Sequence, residues 1–320
     1  MINRVLVLGN RKLSIDVVDF LHSEGVQILV ILNPSDQGND ESNNLSLKKW
    51  IKNKKIATLQ PKNLQNEETA IQIKTFAPDF AISCSYQLKI PKSIIDIPPK
   101  GFANFHYADL PKNRGCLPVI NSLFDATGKL TVTMHKIIPE LDAGAIILKT
   151  SFSIDSSTTA EEGYKLCSIA ALKLFEEFWS SFCLSGLFDS TPQLDSEASY
   201  NKLIFPNNRW ISWDMPAQKV SHFINCLTYY PHPSARTLSK YKGNHIEIGI
   251  LGPSIIQKEI SSVTPGEVMF LEGTTCISCD DYAISFKNVT INNTILSREK
   301  AHEILGKRLF NNEQLCEVNI

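Results

Sequence analysis

The chain has 320 residues, 43% of them hydrophobic and 20% charged, with a net charge of -1. That length accommodates two domains with separate cores, and the charge balance excludes any whole-molecule pull toward nucleic acid or anionic membrane. No run approaches the ~18 apolar residues that span a bilayer, and the apolar run after Met1 is too short for a secretory leader. A cytoplasmic protein without membrane partners is expected.

Val5 to Leu8 followed by Gly9 reads as a buried strand ending in a turn. An amphipathic helix from Ser14 to Ser23 and a second strand from Val26 to Leu32 follow, a β-α-β opening that favours a parallel sheet with a right-handed crossover. Gly9 stands alone where a dinucleotide site would carry G-x-G-x-x-G, and no P-loop is present, which argues against nicotinamide or nucleoside-triphosphate chemistry. Residues 34–46 form a polar loop with Asp36, Asp40 and Glu41, leading to a helix bearing Lys48, Lys49, Lys52, Lys54 and Lys55. That helix reads either as a solvated face or as an anion-binding lobe.

Strands are expected at 80–84, 101–106, 130–135 and 145–150. Thr158 opens a long amphipathic helix reaching about Cys183, with 157–161 as its cap region. Residues 186–205 are polar with weak periodicity and read as a linker. Beyond a helix from Pro216 to Leu227, short apolar runs at 245–251, 266–270, 275–278 and 283–286 predict a small β-rich domain. The expected fold is therefore α/β: a Rossmann-like, mostly parallel sheet in an N-terminal domain (1–185) and a smaller β-rich, OB-like barrel domain at 206–320. Of the eight cysteines, only Cys276 and Cys279 form a C-x-x-C, and the second pair of a structural zinc site is missing, so no metal and a reducing compartment are expected.

Three polar residues carry the candidate chemistry. Asn104 and His106 stand two apart, so on a strand both point to one face, and Asp142 follows in Leu-Asp-Ala-Gly. In acyl transfer an amide can steady an oxyanion, an imidazole can move a proton, and a carboxylate can orient the imidazole. Each has a plainer reading alone: a cap, a satisfied core histidine, a tight-turn aspartate. His135 reads as structural and Cys116 lacks a paired base. Arg114 either packs a loop or binds an acidic substrate group.

Asn104-Phe-His106, Leu110-Pro111 with Arg114-Gly115, Thr131 to His135, and Leu141-Asp142-Ala-Gly144 together resemble the signature of folate-dependent formyltransferases. Ser85 to Pro91 is similar to that family's folate loop, and Arg209 to Trp213 with Pro265 to Val268 extends a weaker likeness to the accessory domain of methionyl-tRNA formyltransferases. The resemblance covers nearly the whole chain. It implies formyl transfer from 10-formyltetrahydrofolate to a primary amine, with Asn104 donating to the oxyanion and His106 as second donor or proton shuttle. Asp142 would fix the imidazole tautomer and accept the amine's proton. Folate contacts would fall to Tyr86, Leu88, Ile90, Ala108, Asp109, Leu110, Pro111 and Leu141.

Two departures bear on the acceptor. Ala108-Asp109-Leu110-Pro111 replaces the Ser-Leu-Leu-Pro usual in the tRNA enzymes, placing an acid at the rim where it could greet an amine cation. Asn225-Cys226 stands where the accessory domain usually has arginine and alanine. Residues 206–320 carry 11 Lys+Arg and 11 Asp+Glu, whereas tRNA binding calls for a basic surface. The expected partner is thus a small-molecule amine, a nucleotide-linked amino sugar, ahead of methionyl-tRNA, a carrier-bound amino acid or another small amine. A folate-binding paralogue without catalysis is the alternative of a different class. The sequence leaves the oligomeric state open, a homodimer being one option.

Overall fold

The computed structural model describes residues 2–40, 45–230, 232–260, 264–271 and 273–310; Glu41 of the acidic loop lies outside them. The chain divides into two compact units. One comprises Met1–Pro118, Leu130–Phe152 and Tyr164–Lys202, the other Val119–Lys129, Ser153–Gly163 and Leu203–Ile320.

The first unit opens with β1 (Arg4–Gly9), α1 (Arg11–Ser23) and β2 (Gln27–Leu32), then α2 (Leu47–Ile51), β3 (Ala57–Leu59), α3 (Glu67–Phe76) and β4 (Phe80–Cys84). It continues with α4 (Lys92–Ile95), β5 (Phe102–His106) and β6 (Arg114–Gly115), and then, after α5 (Pro118–Phe124), which belongs to the second unit from Val119 on, with β7 (Lys129–Lys136), β8 (Ile146–Ser153), α6 (Ala160–Ser185) from Tyr164 on, and β9 (Tyr200–Asn201). A seven-stranded sheet runs in the order β3-β2-β1-β4-β5-β7-β8. Pairing is parallel from β3 to β5 and turns antiparallel between β5 and β7. The central strands are buried on both faces, which is why β1 and β2 carry unbroken apolar runs, Val5 to Leu8 and Ile28 to Leu32. Leu6, Leu8, Ile31, Ile73, Ile94 and Phe102 form one buried cluster. Aromatic side chains of α6 pack on Phe80 and Phe105, with Phe80 and Phe182 centroids 4.9 Å apart and Phe105 and Phe175 6.3 Å apart.

Helix α6 starts where a capping box predicts. Thr159 N–H donates to Glu162 Oε2 (2.9 Å) and Glu162 N–H to Thr159 Oγ1 (3.3 Å), so Thr159 is the cap and the helix begins at Ala160, two residues past the expected Thr158. The basic helix is much shorter than its lysine run. Lys49 pairs with Asp40 (2.6 Å), Lys54 with Asp19 (3.2 Å), and Lys48 donates to Gln60 (2.7 Å). Asp36 is buried and accepts from the Lys48 N–H, so the acidic loop ties down the start of α2.

In the second unit α7 (Ala217–Cys226) precedes β10 (Ala235–Tyr241), β11 (Asn244–Leu251), β12 (Ile255–Glu259), β13 (Val268–Leu271), β14 (Thr274–Ser278) and β15 (Tyr282–Ser285). β16 (Asn288–Ile291), β17 (Thr294–Ile295), α8 (Arg298–Leu305) and β18 (Leu309–Phe310) complete it. The strands form two antiparallel sheets, β17-β16-β11-β10-β18 and β12-β15-β14-β13, linked by a bridge between Glu267 and Arg308. Asn225, where the resemblance expects arginine, is 1% exposed, and its Oδ1 accepts from Ser254 N–H at 2.8 Å, a packing role. Cys276 and Cys279 are buried, burial pushing the Cys279 thiol up to about 12.

Candidate active site

β5 ends on the candidate residues because its apolar Phe102, Ala103 and Phe105 are held in the core. The antiparallel register sets Asn104 opposite His135 and His106 opposite Thr133. Facing pairs on neighbouring strands bring their side chains together. Asn104 Nδ2 accordingly lies 3.1 Å from His135 Nε2. His135, read from the sequence as structural, therefore belongs to the cluster. No local signal announces it, because the register between strands 31 residues apart is a tertiary fact.

Asp142 reaches the pair from the turn between β7 and β8, at φ 53, a left-handed conformation that aspartate tolerates better than most residues. Its Oδ2 lies 3.6 Å from His106 Nδ1 and its Oδ1 3.6 Å from His135 Nε2. His106 and Asp142 side chains are 6% and 9% exposed. The three residues read from the sequence as one site are thus brought together, with His135 as a fourth.

The intervening Leu-Pro-x-x-Arg-Gly has a physical explanation. β6 pairs in parallel with β9, Arg114 beside Tyr200 and Gly115 beside Asn201. A Cβ at Gly115 (φ +95) would overlap the Asn201 carbonyl, so only glycine fits. The freed Gly115 N–H donates to Asp142 Oδ2 at 2.8 Å. Arg114 is 1% exposed and donates to Gln193 Oε1 (3.0 Å), Asp195 Oδ1 (3.0 Å) and Tyr200 OH (2.6 Å). Of its two sequence readings, packing a loop is the one the geometry supports. Gln193, Asp195 and Tyr200 come from the stretch read as a linker, which clusters with the first unit through residue 202.

Hydrogen-bond partners fix the tautomers. The Asn113 carbonyl can only accept, so His106 Nε2, 2.7 Å away, carries the hydrogen. The Lys136 carbonyl, 2.9 Å from His135 Nδ1, does the same there, leaving His135 Nε2 to accept from Asn104. A neutral His106 then turns its Nδ1 lone pair toward Asp142. Burial holds the His106 pKa below its ordinary 6.5, against the opposing pull of Asp142 and the Asn113 carbonyl. Burial pushes the Asp142 carboxyl up, but in the acid range where a carboxyl titrates, protonated His135 and His106, with the Gly115 N–H, outweigh it and lower it below its ordinary 3.8. An ionised carboxylate thus faces a neutral imidazole, both as acceptors, at a distance that one added proton would draw into a hydrogen bond. The cluster is arranged to take up a proton.

A sequence profile described as formyl transferase matches residues 3–175, and one described as formyl transferase, C-terminal domain, matches 203–301. The chain belongs to the formyl transferase family. It is 24% identical over 321 residues to the methionyl-tRNA formyltransferase of Geobacillus thermodenitrificans, covering 98% of each chain. The same enzyme from Nitrosomonas europaea is 28% identical over 255 residues, covering 77% of this chain and 75% of the relative. In fold it resembles an N-formyltransferase of Helicobacter canadensis solved with folinic acid and dTDP-3-aminofucose. The TM-score there is 0.66 at 19% identity, covering 90% of this chain and 99% of the other. This formyltransferase takes its formyl group from a folate donor, 10-formyltetrahydrofolate.

The residues assigned to folate divide by exposure. Tyr86, Leu88 and Ile90 lie in the loop after β4; Ile90 and the Tyr86 ring pack on the core cluster, and Leu88 is 37% exposed. The Tyr86 hydroxyl is buried without a partner among the described residues, and Leu141 is 62% exposed. An orphaned hydroxyl and exposed apolar side chains suit a ligand with a flat ring and polar edges. Ala108 and Leu110 are fully buried, so only their backbone is open to a ligand, and the Ala108 carbonyl already accepts from Thr133 Oγ1. Pro111 is partly buried beside them. Asp109 does not stand free to greet an amine, because Lys149 pairs with it at 2.6 Å. Among the described residues no His/Cys/Asp/Glu group could hold a metal ion, and no helix is long and apolar enough to cross a membrane.

Proposed function

We propose that this formyltransferase acts on the amino group of a nucleotide-linked amino sugar, with Asn104, His106 and Asp142 as its catalytic residues. The neutral amine attacks the formyl carbon, and the carbonyl oxygen becomes an oxyanion. Asn104 keeps one amide hydrogen on His135 and directs the other at that oxyanion. The attacking nitrogen loses one proton to the Asp142–His106 pair, leaving an imidazolium bonded between the Asn113 carbonyl and the carboxylate. The bond from the formyl carbon to the folate nitrogen then breaks, and that nitrogen receives the proton. One proton has moved from amine to folate, and no covalent enzyme intermediate is needed.

The tautomer sharpens this assignment. The Asn113 carbonyl, not Asp142, orients the imidazole, so His106 works as proton acceptor rather than as a resting donor to the oxyanion.

The observation that carries the acceptor assignment is charge. Residues 206–320 hold 11 Lys+Arg and 11 Asp+Glu, and two of the cations are paired with neighbouring acids, Arg236 with Glu247 and Lys300 with Glu303. A surface for tRNA phosphates needs an excess of cations. The near full-length match to methionyl-tRNA formyltransferases favours tRNA as the second reading. Incubation with 10-formyltetrahydrofolate and a panel of dTDP- and UDP-linked amino sugars and methionyl-tRNA, following loss of the donor, separates them. Sugar-nucleotide turnover is expected; formylation of methionyl-tRNA alone would overturn the assignment. The reaction is proposed to run in the cytoplasm.

A further inference from the structure

The turn that carries Asp142 is held from behind by a single side chain. Gln193 Nε2 donates to the carbonyls of both Asp142 (2.8 Å) and Gly144 (2.7 Å). Its Oε1 accepts from Arg114 Nε at 3.0 Å. Arg114 is anchored by Asp195 and Tyr200, with its guanidinium carbon 5.2 Å from the Tyr200 ring centre. The next residue, Gly115, donates its N–H to the Asp142 carboxylate. The contacts therefore close a ring: carboxylate to Gly115, Arg114 to Gln193, and Gln193 back to the Asp142 carbonyl. Backbone and side chain of Asp142 are both referred to the Arg114-Gly115 dipeptide.

We infer that Gln193 is a positioning residue for formyl transfer, acting through Asp142. This rests on the role proposed above for Asp142 and is independent of which amine is the acceptor. The physical need is clear. Asp142 sits in a left-handed turn between two histidines at 3.6 Å each, with no regular element of its own to hold it. A shift of the turn by an ångström would lengthen one contact and shorten the other, and displacements of that size cost on the order of 10²-fold in rate. One amide straddling two carbonyls restrains both displacement and rotation of the turn. Gln193 is partly buried and turned inward, as expected of a tether rather than a substrate ligand.

Gln193→Glu isolates the function, since the carboxylate keeps the acceptor for Arg114 and loses both donors to the turn. With the best amine of the panel, kcat should fall about 10-fold or more while KM for donor and acceptor stays within about two-fold. In an Asp142→Asn background the same change should cost less than about two-fold, because its effect passes through that carboxylate. A merely structural role would cost the same in both backgrounds, and that result overturns the inference. So does a full-rate Gln193→Glu beside a slow Asp142→Asn. An Asp142→Asn enzyme at wild-type rate would instead sink the reading of Asp142, and the tether with it. If Gln193→Glu does not fold, Gln193→Met, of similar length and without the amide, takes its place with the same outcomes.

Discussion

His106 and Asp142 face each other at 3.6 Å with the imidazole hydrogen on the far side, bonded to the Asn113 carbonyl. Two acceptors held this close in a nearly dry site form a proton trap, and a formyltransferase whose amine must shed one proton has use for it. Removing either group removes the trap. Asp142→Asn and His106→Ala are each expected to lower kcat by about 10² to 10⁴-fold, the usual worth of a positioned acid or base. Retention of native circular dichroism alongside wild-type rates in either variant would rule the mechanism out.

The pH dependence follows from the same pair. In the proposed mechanism His106 must be neutral to accept the proton, and burial holds its pKa below 6.5, so the acid limb of kcat should lie below pH 6.5 and vanish in His106→Asn. Stability moves in the same direction. The unfolded chain binds the His106 proton from pH 6.5 downward while the folded chain resists it, so the contribution is whole above 6.5 and shrinks as pH falls toward the folded pKa. Asp142, depressed below 3.8, adds stability present above that value and lost as pH falls through its folded pKa. Thermal midpoints measured from pH 8 to pH 3 should show both declines, the first absent in His106→Asn.

His135 anchors Asn104, and that relationship predicts non-additivity. Asn104→Ala should cost about 2.7–4 kcal/mol of transition-state stabilisation, as for other oxyanion donors. His135→Ala leaves the amide present but unheld, and should cost less, about 10-fold in kcat. The double variant should be no slower than Asn104→Ala, because the anchor has nothing left to orient. Additive losses would separate His135 from Asn104.

These contacts show what a one-dimensional reading reaches. The β-α-β opening was legible because strands buried on both faces leave unbroken apolar runs, and α6 because its amphipathic run follows a cap region at 157–161 that contains the observed cap, Thr159. Asn104 and His106 were legible as a pair because strand geometry is local. His135 was not, since its contact depends on the β5–β7 register. Asn113 acts through its carbonyl, which every residue has. Gln193 lies 51 residues from Asp142 in a stretch whose weak periodicity reads as a linker, because the bonds that order it run to other segments. The pairing of Asp109 with Lys149, 40 residues on, escaped for the same reason.

That ion pair sits at the rim and is about half exposed on both sides, so its effect on stability should be small. Asp109→Ala and Lys149→Ala should each change unfolding free energy by less than about 1 kcal/mol in urea titrations. Because Lys149 already neutralises Asp109, Asp109→Ala should leave kcat and the acceptor KM within about three-fold. A large rise in acceptor KM on Asp109→Ala would mean that the carboxylate leaves Lys149 to meet the amine.

Gly144 gives the most local test of the turn. A Cβ there would overlap the Lys136 carbonyl, which is backbone and can yield only if β7 or the turn moves. Gly144→Ala is therefore an overpacking change of about 1–3 kcal/mol, measurable as a lower urea midpoint. The displaced turn also carries Asp142, so kcat should fall by on the order of 10-fold in the fraction that remains folded, with donor KM little changed. Gly128→Ala, at a turn where an added Cβ meets nothing within 4 Å, supplies the contrast. Its positive φ of +69 makes it mildly destabilising through backbone strain, yet it should keep wild-type kcat. Equal kcat losses in the two alanine variants would mean that turn geometry at Gly144 has no bearing on the carboxylate.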